Sequence, residues 1–130
     1  MTTTLFCALA FADVERGITF LEALGFTEKA VYRDPDHPEV VLHAQFDWRD
    51  SGGVMFGSSK ADDPHKAGVG QARCYLVVDA DAAVDEVHAR ALAAGGTSLR
   101  DPVDMDYGGR GSTVLDPEGN QWSIGSYPGE

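Results

Sequence analysis

Few side chains in this sequence are placed to do chemistry. His43, Gln45 and Asp47 alternate within "EVVLHAQFDW" (39–48), so an extended chain puts all three on one face. Such a row can wall a polar pocket, hold a metal ion, or simply face water. His37 and His65 stand beside Asp and Pro in loop-like sequence, where solvation is expected, and His88 is read as a surface residue on the polar side of a helix. Cys7 and Cys74 lie in separate apolar runs, with no CxxC and no Cys/His spacing of a zinc site. Buried, reduced thiols that contribute packing and no chemistry are the expectation for both. No Ser/His/Asp or Cys/His arrangement is legible. "YGGRG" (107–111) lacks the strand-then-helix context that a phosphate loop requires. The sequence therefore assigns no catalytic residue.

The elements that must position these residues follow a repeated order. "LFCALAFA" (5–12) is an apolar run of strand length, and Asp13 is an N-cap candidate. Val14, Ile18 and Leu21 follow at helical spacing, with Leu24 one turn on and Gly25 as a stop. Strands are expected at "FTEKAVYRD", "EVVLHAQFDW" and "VMFGS". "SKADDPHKAGVG" (59–70) reads as a linker dividing the chain almost in half. The order then recurs. "QARCYLVVD" is a strand, and Asp81 is placed to cap a helix with Val84, Val87, Ala91 and Ala94 on its apolar face. Strands follow at "TSLRD", "YGGRGSTVLD" and "NQWSIGSY". Asp116-Pro117-Glu118-Gly119-Asn120 is strong turn chemistry joining the last pair. The expectation is an α+β chain of two βαβββ modules, residues 3–60 and 70–128.

The chain has 130 residues, one domain's worth, and 43% hydrophobic content suits a folded core. Net charge is −11 with scattered Lys and Arg, which argues against nucleic acid and anionic membrane as partners. No apolar run is long enough to span a bilayer. The N-terminal stretch "MTTTLFCALAFADVERG" lacks the basic region of a signal peptide, so a cytoplasmic location is expected.

Three stretches carry a resemblance: "FADVERGITFLEALGF", "VVDADAAVDEVHARALAAGG" and "DYGGRGSTVLDPEGNQWSIGSY". Through them the whole chain resembles the vicinal oxygen chelate superfamily of glyoxalase I, bleomycin-resistance proteins and extradiol dioxygenases. The resemblance implies two βαβββ modules, each curling a sheet into a half-open cup, and frequent homodimers whose cups combine modules of two chains.

In the metal enzymes of that superfamily, His, Glu or Gln ligands come from the first and fourth strands of each module. The matching positions here are Phe6, Phe56, Arg73 and Ser123. A shift of one gives Cys7, Met55, Ala72 or Cys74, and Trp122 or Ile124. Neither set suits an oxygen-seeking divalent ion. No metal and no cofactor are therefore expected. The resemblance then implies a cup lined by Phe6, Trp48, Phe56, Tyr75 and Tyr107, with Arg73 as its central charge, Arg110 as a second, and Ser123 beside them. Alternation puts Trp122 behind the cup in the core, and Trp48 either stacks on a planar ligand or covers a rim. The partner expected is a small organic molecule, aromatic or planar, with an acidic or carbonyl group. The function implied is metal-free binding, as in bleomycin-resistance-type proteins that sequester an antibiotic by affinity alone. The alternative is an enzyme: a lyase or isomerase with displaced metal ligands such as His43 and Asp47, or a metal-free catalyst.

Overall fold

A computed structural model describes residues 3–61 and 68–130; His65 lies outside them. The element order is β1 (Cys7–Phe11), α1 (Val14–Leu24), β2 (Thr27–Arg33), β3 (Val41–Trp48) and β4 (Gly52–Ser58). It repeats as β5 (Arg73–Val77), α2 (Asp81–Ala93), β6 (Thr97–Asp104), β7 (Arg110–Leu115) and β8 (Gln121–Gly125). The sheets are ordered β1-β4-β3-β2 and β5-β8-β7-β6. In each, the first strand pairs parallel with the last and the other pairs are antiparallel. The α+β architecture of two βαβββ units is thus the one expected.

The helices form where the apolar period demands. Val14, Ile18, Leu21 and Leu24 are buried along α1. Asp13 caps it by accepting from the Arg16 amide at 3.1 Å. Gly25 ends it at φ 121°, a conformation that favours glycine. In α2 the cap differs from expectation: Ala80 is the N-cap and makes no side-chain cap, while Asp81 lies inside the helix and accepts from Ser126 Oγ at 2.6 Å. His88 also departs from expectation. It is 5% exposed and lies on the buried stripe with Val84, Val87 and Ala91.

One core runs through both units. Phe11, Phe20, Phe46, Phe56, Trp122 and Ile124 all belong to it. Phe26 bridges the units, its ring 5.1 Å from Trp48 and 5.7 Å from Trp122. The second unit also holds both ends of α1. The Glu118 carboxylate accepts from the Ala12 and Asp13 amides at 2.7 Å each, and Arg90 Nε donates to the Ala23 carbonyl at 2.8 Å. A carboxylate at the start of a helix and a guanidinium at its end both complement the helix dipole.

The β7–β8 turn is a buried hydrogen-bond hub. The Asp116 carboxylate accepts from the amides of Glu118 and Asn120, from Asn120 Nδ2 and from Trp122 Nε1, at 2.8–3.0 Å. Asn120 Oδ1 in turn accepts from the Ala72 amide at 3.0 Å. The closing "DPEGNQW" segment therefore builds the fold, fastening its own hairpin, the start of β5 and the start of α1.

Candidate functional site

Each sheet packs one face on the helices and leaves the other open. Register sorts the side chains. On the first sheet Phe6, Ala8 and Ala10 share the open face with Gly53, Met55 and Gly57 and with His43, Gln45 and Asp47. On the second, Arg73, Tyr75 and Val77 share it with Gln121, Ser123 and Gly125 and with Thr113 and Gly111.

Three clefts lie over these faces. One, of about 450 Å3, is floored by Ala8, Ala10, Met55 and Gly57, with His43 and Gln71 at its sides. A second, of about 380 Å3, lies between the units and brings Phe6, Arg73 and Tyr75 together with Gly53 and both cysteines. The third, of about 450 Å3, is walled by Tyr75, Tyr107 and Tyr127. Arg73 is the one charged side chain lining the second cleft among the described residues. It is exposed and makes no hydrogen bond or ion pair with another described residue.

Local sequence explains this geometry. Gly53 lets the Phe6 ring lie on β4, since a Cβ there would sit 2.9 Å from it. Gly125 does the same for Tyr75, whose hydroxyl would collide with such a Cβ. The Tyr75 hydroxyl donates to the Tyr127 carbonyl at 2.7 Å. Burial and the neighbouring Tyr107 and Tyr127 phenols push the Tyr75 pKa up, and the hydrogen bond to Glu130, with burial, pushes up that of Tyr127. Beside them Ser123 and Thr113 share a hydrogen bond of 3.0 Å.

Three residues expected in the cup are placed otherwise. Phe56 faces the helices: it is 4% exposed and meets Phe11 edge-on at 5.4 Å, and its neighbour Met55 takes the open face. Trp48 also turns inward. It lines the deep wall of the cleft between the units, but its ring packs on Phe26 and its Nε1 donates to the Val77 carbonyl at 3.2 Å. Arg110 lies on the helix side, bidentate to Asp85 at 2.8 and 3.1 Å and bonded to Asp104 at 3.0 Å. The guanidinium holds the Asp85 carboxyl below the usual carboxylate range, and the two carboxylates raise the Arg110 pKa further.

A cation that sequence reasoning missed takes the open side. Arg100 pairs with Thr113, and its Nη2 lies 3.7 Å from where a Gly111 Cβ would be. A bulge between Ser98 and Arg100 turns it to this face. The signal in "TSLRDP" was the Pro102 that follows, a residue confined to edge strands and bulges.

The strands β1, β4, β5 and β8 carry no carboxylate or imidazole on their open faces: their side chains there are aromatic, aliphatic, thioether, hydroxyl, amide or guanidinium. That donor set does not fit an oxygen-seeking divalent ion. The open face of β3 carries His43, Gln45 and Asp47, with His43 exposed to solvent and the other two half-buried. There Gln45 Nε2 donates to Asp47 Oδ1 at 2.8 Å, and the His43 ring stacks on Tyr32 with centroids 6.3 Å apart. Among the described residues no three His, Cys, Asp or Glu side chains group as metal ligands.

The sequence profile of the Glyoxalase/Bleomycin resistance protein/Dioxygenase superfamily matches residues 4–124. The chain belongs to that superfamily. Solved structures with this fold include TioX from Micromonospora sp. ML1, at 24% identity and TM-score 0.73, covering 95% of this chain and 97% of that one. A glyoxalase-related enzyme from Fulvimarina pelagi has 22% identity and TM-score 0.72 over 95% and 86% of the two chains. A bleomycin resistance determinant encoded on the transposon Tn5 has 20% identity and TM-score 0.63 over 96% and 98%. No curated protein matches the chain. At these identities the superfamily likeness describes the scaffold, which hosts more than one chemistry. Among the described residues no helix is long and apolar enough to cross a membrane.

Proposed function

We propose that this superfamily member binds a small planar organic molecule carrying an acidic or carbonyl group, on the open faces of its sheets, and does so without a resident divalent ion. The observation that carries this reading is the lining of the cleft between the units. There Arg73, unpaired among the described residues, stands with Phe6 and Tyr75, and Phe6 and Arg73 are two of the four positions matched to metal ligands of the superfamily's enzymes. A guanidinium offers a carboxylate or carbonyl a forked set of donors, and the rings offer flat apolar area. Arg100 and the tyrosine-walled cleft extend the same chemistry across the second sheet. Function by affinity alone, as in a sequestering protein, needs no catalytic group and none is assigned.

The protein is also proposed to be a homodimer. Tyr32 and Leu42 on the first sheet and Tyr75, Leu99 and Val103 on the second are exposed at 44–62%. A second copy placed over these faces would cover them and complete each pocket.

The test is metal content after dialysis, read beside ligand binding. The expected result is far less than one divalent ion per chain. Stoichiometric divalent metal surviving dialysis would overturn the reading and favour an enzyme that draws ligands from His43 and Asp47 on β3.

A further inference from the structure

Cys7 and Cys74 have their sulfur atoms 3.3 Å apart. They lie on β1 and β5, which belong to different sheets, so no backbone ladder joins the chain at this seam. Neither thiol is fully buried, contrary to the sequence expectation. Both line the cleft of about 380 Å3 between the units, which gives a small reagent access to them.

We propose that Cys7 and Cys74 form an oxidisable dithiol, a modification site that a peroxide converts to an intramolecular disulfide linking the two units. The two sulfurs have unequal roles. Cys74 donates its hydrogen to the Cys7 sulfur. That bond lowers the Cys7 pKa to about 7, against the opposing effect of burial. The same bond, with burial and the Cys7 charge, raises that of Cys74. Cys7 is therefore the nucleophile and Cys74 the resolving thiol.

The chemistry balances with hydrogen peroxide as oxidant. The Cys7 thiolate attacks one peroxide oxygen, the O–O bond breaks, and the departing hydroxide takes a proton to leave as water. Cys7 is then a sulfenic acid. The Cys74 sulfur attacks the Cys7 sulfur, the S–O bond breaks, and the hydroxide leaves with the Cys74 proton as a second water. Two thiols and one peroxide give one disulfide and two waters; the sulfurs lose two electrons and the peroxide oxygens gain them. A disulfide requires the sulfurs to close to about 2.05 Å, a movement of little more than about 1 Å shared by two side chains. The bond would close a loop between residues 67 positions apart, restricting the unfolded chain and tying β1 to β5.

The test treats purified, reduced protein with stoichiometric hydrogen peroxide, then measures intact mass, thiol count in denaturant and a non-reducing peptide map. The expected result is a mass loss of about 2 Da per chain, loss of both thiols, and a Cys7–Cys74 cross-link within one chain that a reductant reverses. Thermal unfolding should move up by several degrees in the oxidised form. The variant Cys74→Ser should instead gain about 16 Da or more, because the sulfenic acid has no resolving thiol in its chain. A wild-type protein that gains oxygen, keeps its thiols, or links between chains overturns the proposal, and this readout stands whether or not the variant folds.

Discussion

Arg73 carries most of the functional reading at the level of single residues. Its side chain lines the cleft with Phe6 and Tyr75 and has no acceptor among the described residues. Arg73→Met keeps the length and removes the charge. It should weaken binding of an aromatic carboxylate such as 2-naphthoate by about tenfold or more while leaving thermal stability nearly unchanged. Titration of both proteins checks this, and equal affinities would remove Arg73 from the site. The Cys7 thiol gives a pH prediction. Its pKa is lowered to about 7 by the hydrogen bond from Cys74, so the reactive thiolate grows as pH rises through about 7. Alkylation at Cys7 should follow that midpoint, and in Cys74→Ala it should move up toward the free-thiol value of about 8.5. Mass-spectrometric rates across a pH series decide it. A midpoint that Cys74→Ala leaves in place would contradict the pairing.

The closing hairpin and α2 are the elements whose energetics are most exposed to test. Asp116 accepts four hydrogen bonds in a buried turn, so Asp116→Ala should strand those donors and cost about 3 kcal/mol or more in denaturant unfolding. A loss below about 1 kcal/mol would show that the hub contributes little. His88 is the reverse case. Both ring nitrogens are buried with no hydrogen-bond partner among the described residues, and Asp101 Oδ1 stands 3.7 Å from Nε2. His88→Leu, on a stripe already formed by Val84 and Ala91, should be neutral or stabilising by up to about 1 kcal/mol, read from the same unfolding curves. Destabilisation by more than that would assign the imidazole a structural role. The helices, the turn and the module repeat were legible in the sequence because each rests on local signals: caps, helical period and Asp-Pro-Glu-Gly-Asn. Facing directions were legible only where a strand alternates. On β5 and β8 the alternation correctly put Arg73, Tyr75 and Ser123 on the open face and Trp122 in the core. "VMFG" is apolar throughout and has no period to show which of Met55 and Phe56 turns inward. Arg110 was misplaced because its partners, Asp85 and Asp104, come from other elements. Arg100 was missed because a bulge reverses its face. His88 had a readable signal, four residues after Val84 and three before Ala91, that its polarity obscured.

For the whole molecule, the two sheets lie on a common core but leave their outer faces open, with exposed apolar side chains on both. Light scattering at micromolar concentration should give twice the chain mass of 13.9 kDa, and a mass of one chain would contradict the dimer. The central claim is that the pocket recognises its ligand with arginine and aromatic side chains in place of a metal ion. The most direct measurement is the affinity of chelator-treated protein for 2-naphthoate, with and without added divalent ions. The account predicts binding to the chelated protein, unchanged by Mg2+, Mn2+, Ni2+ or Zn2+. Binding that appears only after one of these ions is restored would contradict it.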